Sequence, residues 1–303
     1  MKKTLILIFL LLLASLFSCA QSEQITIMAP AGAPALAQIY LQNNDDYLVD
    51  IVNGPDPLVA AFGSKSHDFI FAPTNLGAKL YNNGIEYIFI AGVTFGNYFL
   101  ATVTETNFNL DSLEGKEIIC FGMNNTSDIV LRYILDSNNI NASITYVDSL
   151  EMANSSLIAD NNAIILSAEP ALSVLQTKVS GIKTIDLQAE YQTLTGENSY
   201  PQSGVFARKD LSERIIDKFL NDLKNSILKV NLEIEDTADL AVDLEMGFPK
   251  EVLITAIPNS HINYQEAIDI KTDLENYFNI IFNINPILIG EKLPDDNFYY
   301  SLN

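Results

Sequence analysis

The chain has 303 residues, with 38 Asp and Glu against 17 Lys and Arg, a formal net charge of -21, two Cys, two His and no Trp. That length spans one or two domains, and 48% hydrophobic content is ample for a sizeable core, which excludes a disordered chain. The acidic balance leaves no basic face for phosphates, which excludes sequence-independent nucleic-acid binding, and so few Cys and His argue against a disulfide scaffold or a thiolate and imidazole metal site.

Lys2 and Lys3 form a short basic start, and Leu5 to Phe17 is thirteen residues without a charge. That run is shorter than the roughly 20 residues of a membrane span and suits a secretory signal. It ends in Leu16-Phe17-Ser18-Cys19, which resembles the lipobox of bacterial lipoprotein signal peptides. The resemblance implies that residues 1–18 are removed, that the Cys19 thiol carries diacylglycerol, and that its new amino group is acylated, with palmitate as an expected chain. The alternative is a plain secretory signal with a chance Cys. Two or more acyl chains anchor stably where one is marginal. Residues 19–24 then form a lipidated Cys and tether, and the mature chain, without Lys2 and Lys3, is more acidic still. Cys120, in the apolar run Ile118-Ile119-Cys120-Phe121, reads as a buried, inert thiol.

The mature chain alternates short apolar runs with amphipathic stretches. Strands are predicted at Ile25–Ala29, Tyr47–Val52, Asp68–Ala72 and Tyr87–Val93. Helices are predicted from Pro34 to about Leu41, from Asp56-Pro57, and from Pro73-Thr74-Asn75 to Tyr81. The rhythm restarts with strands at Glu117–Phe121, Ser143–Val147, Ala163–Ser167 and Gly181–Leu187, and helices opening at Asn124–Ser127, Leu150 and Glu169-Pro170. From Leu211 onward the pattern reads as helical: Leu211–Val230, Thr237–Met246, Lys250–Ile257 and Tyr264–Ile281.

Strand then helix, repeated at this spacing, argues for an α/β protein with mostly parallel sheets. Two extended segments, Asn97–Thr104 and Gln202–Ala207, stand between the two α/β units. If both cross between the same lobes, the second unit is an insertion and the chain forms two lobes on a two-strand hinge. The expected division is residues 25–103 with 205–303 as the first lobe and 104–204 as the second.

Four stretches resemble the solute-binding lipoproteins of ABC importers, in the group that handles sulfonates, nitrate and thiamine-precursor pyrimidines. They are Ile27-Met28-Ala29-Pro30-Ala31-Gly32-Ala33-Pro34-Ala35, Asp68-Phe69-Ile70-Phe71-Ala72-Pro73-Thr74-Asn75-Leu76-Gly77-Ala78, Ala91-Gly92-Val93-Thr94 with Asn97-Tyr98-Phe99-Leu100, and Leu166-Ser167-Ala168-Glu169-Pro170-Ala171. The likeness covers nearly the whole mature chain. It implies a type II periplasmic-binding fold, two lobes closing on a small solute, no cofactor, and delivery to a permease pair with a cytoplasmic ATPase. The expected assembly is a monomer held to the membrane by lipid.

Ligands of open α/β sheets bind beyond the carboxyl ends of strands, where helix N-termini present unpaired N–H groups. Those places are Ala31, Gly32 and Ala33; Thr74 and Asn75; Thr94 and Asn97; Asn124, Asn125 and Thr126; and Glu169. The Asn and Thr residues suit helix capping equally well. Glu169 is stabilised by a helix start in either reading, and a ligand-facing carboxylate there would accept from an amine or ring nitrogen. Tyr98 and Tyr200 flank the hinge and can stack on a planar ligand or simply pack.

From Ala20 to Val103 only Lys65 and Lys79 are cationic, and no expected cleft loop carries Lys or Arg. A neutral or weakly charged solute, such as a heterocycle of the pyrimidine kind, fits better than a strong anion, although helix N-termini alone can hold a dianion. Three rival readings stand beside import, one of them a lipid-anchored structural protein that would need no cleft. Pyrimidine synthases share this fold, but no Ser-His-Asp or Cys-His set is assembled here. A ligand-sensing surface receptor subunit would use the same lobe closure.

Overall fold

A computed structural model describes residues 24–301. The expected signal segment, Cys19 and the expected tether through residue 23 lie outside the described residues. The first sheet is built from β1 (Ile25–Pro30), β2 (Tyr47–Val52), β3 (Phe69–Pro73), β4 (Tyr87–Phe95), β10 (Pro201–Arg208) and β11 (Ile262–Glu266), in the order β11-β4-β10-β3-β1-β2. The second is built from β5 (Tyr98–Thr102), β6 (Glu117–Phe121), β7 (Ser143–Val147), β8 (Ile164–Ala168) and β9 (Lys183–Asp186), in the order β7-β6-β8-β5-β9. In each sheet most strands run one way; β10 and β11 oppose the rest of the first, and β5 opposes the rest of the second. The result is the expected α/β architecture of two lobes joined by two crossing segments.

Alternation along β3 shows how the first sheet is packed on both faces. Phe69 and Phe71 enter one core, while Ile70 and Ala72 enter the other, as period-two side chains must. On the first face, α9 (Glu213–Leu232) buries Ile216, Phe219, Leu223, Ile227 and Val230, a stripe at helical spacing. Phe219 stacks on Phe69 with ring centroids 3.8 Å apart and planes within 8°. Each such fully buried side chain contributes about 1.5–3 kcal/mol of transfer free energy. Short helices α1 (Ala33–Ala37) and α2 (Ile39–Gln42) cover the same face with α10 (Ile234–Asp243) and α11 (Lys250–Asn259). The opposite face carries α3 (Asp56–Ser64), α4 (Thr74–Asn82) and α12 (Lys271–Ile284). The second sheet is flanked by α5 (Thr126–Ser137), α6 (Leu150–Ala159), α7 (Ala171–Lys178) and α8 (Leu187–Thr195).

Four expectations need correction. Residues 98–102 and 201–204 lie on the opposite sides of the expected lobe boundaries. The turn at Gly96, with φ +53, ends β4 and sends β5 into the second sheet, while β10 already pairs in the first sheet from Pro201. The helix expected from Pro34 to Leu41 is broken at buried Gln38, whose side-chain amide donates to Ala35 O at 3.1 Å. The tail is not wholly helical: Ile262–Glu266 forms the edge strand β11 against β4 before α12 begins. Leu187 does not end a strand but starts α8, capped by Asp186, whose carboxylate accepts from Gln188 N at 2.8 Å. Cys120 is buried, and burial pushes its thiol pKa up, as its apolar run implies.

Candidate solute cleft

A cleft of about 590 Å³ lies between the lobes. Its first-lobe wall begins at the carboxyl end of β1 with Ala31 and Gly32, and continues through Ile51 and Asn53 at the end of β2. The connection between α10 and α11 adds Met246 and Phe248. The second-lobe wall begins at the carboxyl end of β8 with Glu169 and runs along α7 through Val174 to Lys178, with Asn154 and Ile158 of α6 beside it. Two strand ends and their following helices therefore face one another, the arrangement that open α/β sheets use for ligands. Gly32 has φ +98 and ψ -146, a region essentially reserved for glycine. It lets the chain turn from β1 into α1 with bare backbone at the cleft surface.

Glu169 is 5% exposed and is the most enclosed ionisable group of the cleft wall. Its carboxylate accepts from Ser173 N at 3.1 Å and from Ser173 Oγ at 3.0 Å, so it caps the first turn of α7 from within. Burial pushes its carboxyl pKa above the usual range, and the two Ser173 bonds only partly offset this. The backbone of Glu169 is held from the hinge: its N–H donates to Asn97 O at 3.2 Å, and its carbonyl accepts from Asn97 Nδ2 at 3.1 Å. Asn97 is also bonded to Gln202, so one buried amide ties both crossing segments to the loop that carries Glu169. On α6, Asn154 Oδ1 accepts from Ser167 Oγ at 2.8 Å, which fixes a second polar side chain of the same wall.

The other expected residues fall into three groups. Asn75, Asn124 and Thr126 do meet across the lobes: Thr126 Oγ1 donates to Asn75 Oδ1 at 3.3 Å, and Asn75 Nδ2 reaches Asn124 O at 3.5 Å. These are contacts between the lobes, away from the cleft wall, and Asn125 sits beside them at the start of α5. Thr74 donates to Pro201 O at 2.7 Å, and Thr94 is fully buried with no partner for its hydroxyl. Ala33 is buried inside α1. Tyr98 and Tyr200 pack on each other, with ring centroids 6.4 Å apart and planes within 14°, and Tyr200 also stacks on Tyr277. Neither ring lines the cleft, because both belong to an aromatic core that bridges the lobes.

Sequence reasoning missed Met246, Phe248, Asn154 and Gln42 of the wall. Met246 and Phe248 lie in a short link between two helices, where only Gly247, with φ +83, marks a turn. Nothing in their local pattern indicates that the link reaches a strand end some two hundred residues earlier.

No family model and no curated protein matches the chain. Solved structures do. An ABC transporter protein from Parabacteroides distasonis superposes with a TM-score of 0.81 at 22% identity, covering 92% of this chain and 99% of that one. The periplasmic aliphatic sulphonate binding protein of Escherichia coli gives 0.71 at 12% identity over 93% and 96%. The ligand-binding component of an ABC-type import system from Staphylococcus aureus, with zinc bound, gives 0.68 at 16% identity over 92% and 97%. The chain has the two-lobe periplasmic-binding-protein fold.

Proposed function

We propose that the chain is an extracytoplasmic lipoprotein that captures a small organic solute between its lobes and hands it to an ABC importer. The observation that carries this reading is the shared cleft, whose walls are strand ends and helices of both lobes. A site divided between lobes on a two-strand hinge couples occupancy to closure, because a solute that touches both walls binds the closed form better. The neighbours named above, from ABC-type systems, support the same reading. The partners are a permease pair and a cytoplasmic ATPase, the assembly is monomeric, and Cys19 carries the membrane anchor in place of a span. No helix among the described residues is long and apolar enough to cross a membrane. The solute is neutral or weakly charged rather than a strong anion such as a sulfonate.

Native mass spectrometry of protein purified from its own cells tests the reading. A single small molecule should accompany the folded chain at one per protein and be lost on unfolding. A chain that carries none, and whose melting temperature no solute class raises, would speak for a structural or docking role instead.

A further inference from the structure

The cleft presents acceptors where an anion would need donors. Glu169 is 95% buried by its 5% exposure, its carboxylate oxygens accept from Ser173 alone, and no ion pair involves it among the described residues. Gln42 of α2 also belongs to this wall, and its Oε1 is buried without a hydrogen-bond partner. At α6 and α7, the second-lobe helices of the wall, a first-turn N–H that could otherwise attract an anion is taken by the protein's own groups. Ser173 N, in the first turn of α7, is taken by Glu169, and Met152 N of α6 by Ser149 Oγ at 3.3 Å, with Glu151 in that first turn. Lys178, the one basic residue of the wall, ends α7 at the opposite end of the helix from Glu169 and forms no ion pair with it.

Apolar side chains, Ala31, Ile51, Ile158, Val174 and Met246, alternate in the wall with polar ones such as Asn53, Asn154 and Ser155, and Phe248 is its single aromatic ring. The tyrosines that would sandwich a flat heterocycle are committed to the core. We propose that the solute is an amphipathic amine, with a protonated nitrogen seated on Glu169 and an aliphatic body against these side chains. The proposal rests on the solute-binding reading and names its chemical class. A charge-assisted bond to a buried carboxylate is about twice as strong as a neutral one and has no competing donor here beyond Ser173.

Calorimetric titration of the purified full chain with n-hexylamine, n-hexanol and n-hexanesulfonate separates the classes at equal chain length. Hexylamine should bind at least about tenfold more tightly than hexanol, hexanesulfonate should not bind, and Glu169→Gln should erase the preference for the amine while leaving the melting temperature at or above the native value. Hexanesulfonate binding more tightly than hexylamine, or an amine preference that survives Glu169→Gln, overturns the proposal. Native mass spectrometry distinguishes the two levels. A co-purified solute without an amine refutes this class and leaves solute capture standing, whereas no co-purified solute together with no binding of any probe refutes both.

Discussion

Asn97 and Gln202 hold each other across the two segments that join the lobes. Gln202 Nε2 donates to Asn97 Oδ1 at 2.8 Å, and Asn97 N donates to Gln202 Oε1 at 3.1 Å. Both residues are buried, so neither amide has water as an alternative partner. Replacing either by Ala leaves the other unsatisfied and should cost about 1–3 kcal/mol in denaturant unfolding. The double variant should lose clearly less than the sum, because the second change removes the group that the first orphaned. Strict additivity would mean that the pair is incidental to the hinge.

Asp128 organises the start of α5 in the second lobe. Its Oδ1 accepts from Tyr146 Oη at 2.7 Å and Arg132 Nε at 3.0 Å, and its Oδ2 accepts from Asn124 N and Arg132 Nη2, each at 2.8 Å. Asp128→Ala should destabilise the chain by about 3–4 kcal/mol, the lower part of the range for a broken buried pair because Arg132 keeps access to water. Asp128 is not part of the cleft wall, so the variant should bind solute normally below its melting temperature.

The tyrosine core makes an opposite kind of prediction. Tyr200 is fully buried and its hydroxyl has no partner, a desolvation cost without a bond to offset it. Tyr200→Phe should therefore be neutral or stabilising by up to about 1 kcal/mol, whereas Tyr200→Ala should cost about 3–5 kcal/mol for the cavity it leaves. A large loss from Tyr200→Phe, read by thermal unfolding, would mean that the hydroxyl has a partner in solution.

Glu169 links stability to pH. Its folded carboxyl pKa is raised by burial, so the folded chain holds this proton more tightly than the unfolded chain. The favourable contribution is complete below the ordinary Glu value and is lost as pH rises through the raised folded value. Unfolding free energies measured from pH 4 upward should fall through that window in the native protein and fall less in Glu169→Gln. An identical profile for the two would remove the desolvation argument.

Two glycines should fail for different reasons. A Cβ on Gly204, in the middle of β10, would meet Phe89 Cε2 at 2.2 Å and the backbone oxygen of Ala91 at 2.7 Å. Gly204→Ala should cost at least about 1–3 kcal/mol, because the adjacent strand cannot move aside as a side chain can. A Cβ on Gly32 meets nothing within 4 Å, and the penalty of Gly32→Ala comes from φ alone. Chemical denaturation should rank both below the native chain, with solute affinity lost in Gly32→Ala.

Most strands were legible because each is a short run of β-branched, apolar or aromatic residues bounded by polar turns; Tyr47–Val52, Glu117–Phe121 and Ser143–Val147 match their expected limits. The edge strand β11 was not, since Ile-Asn-Tyr-Gln-Glu is half exposed and lies just ahead of a strongly amphipathic helix. Ala31, Gly32 and Glu169, expected from the rule that ligands gather at strand ends, lie in the cleft wall. Of the Asn and Thr residues at equivalent ends, Thr74 and Thr126 are bonded to Pro201 O and Asn75 Oδ1, and Thr94 is buried without a partner. Local sequence does not record which polar group finds a partner far along the chain. For the same reason Met246 and Phe248 carried no signal.

The chain contains no Trp, so a single Trp in the cleft wall reports only on that wall. Phe248→Trp places the indole opposite α7 at the position of a half-buried ring. Titrating this variant with the solute released from native protein should give a saturable change in Trp emission, with one solute per chain and an affinity close to that of the native protein. Stoichiometric binding seen by mass with no change in Trp emission would place the solute elsewhere and contradict capture in this cleft.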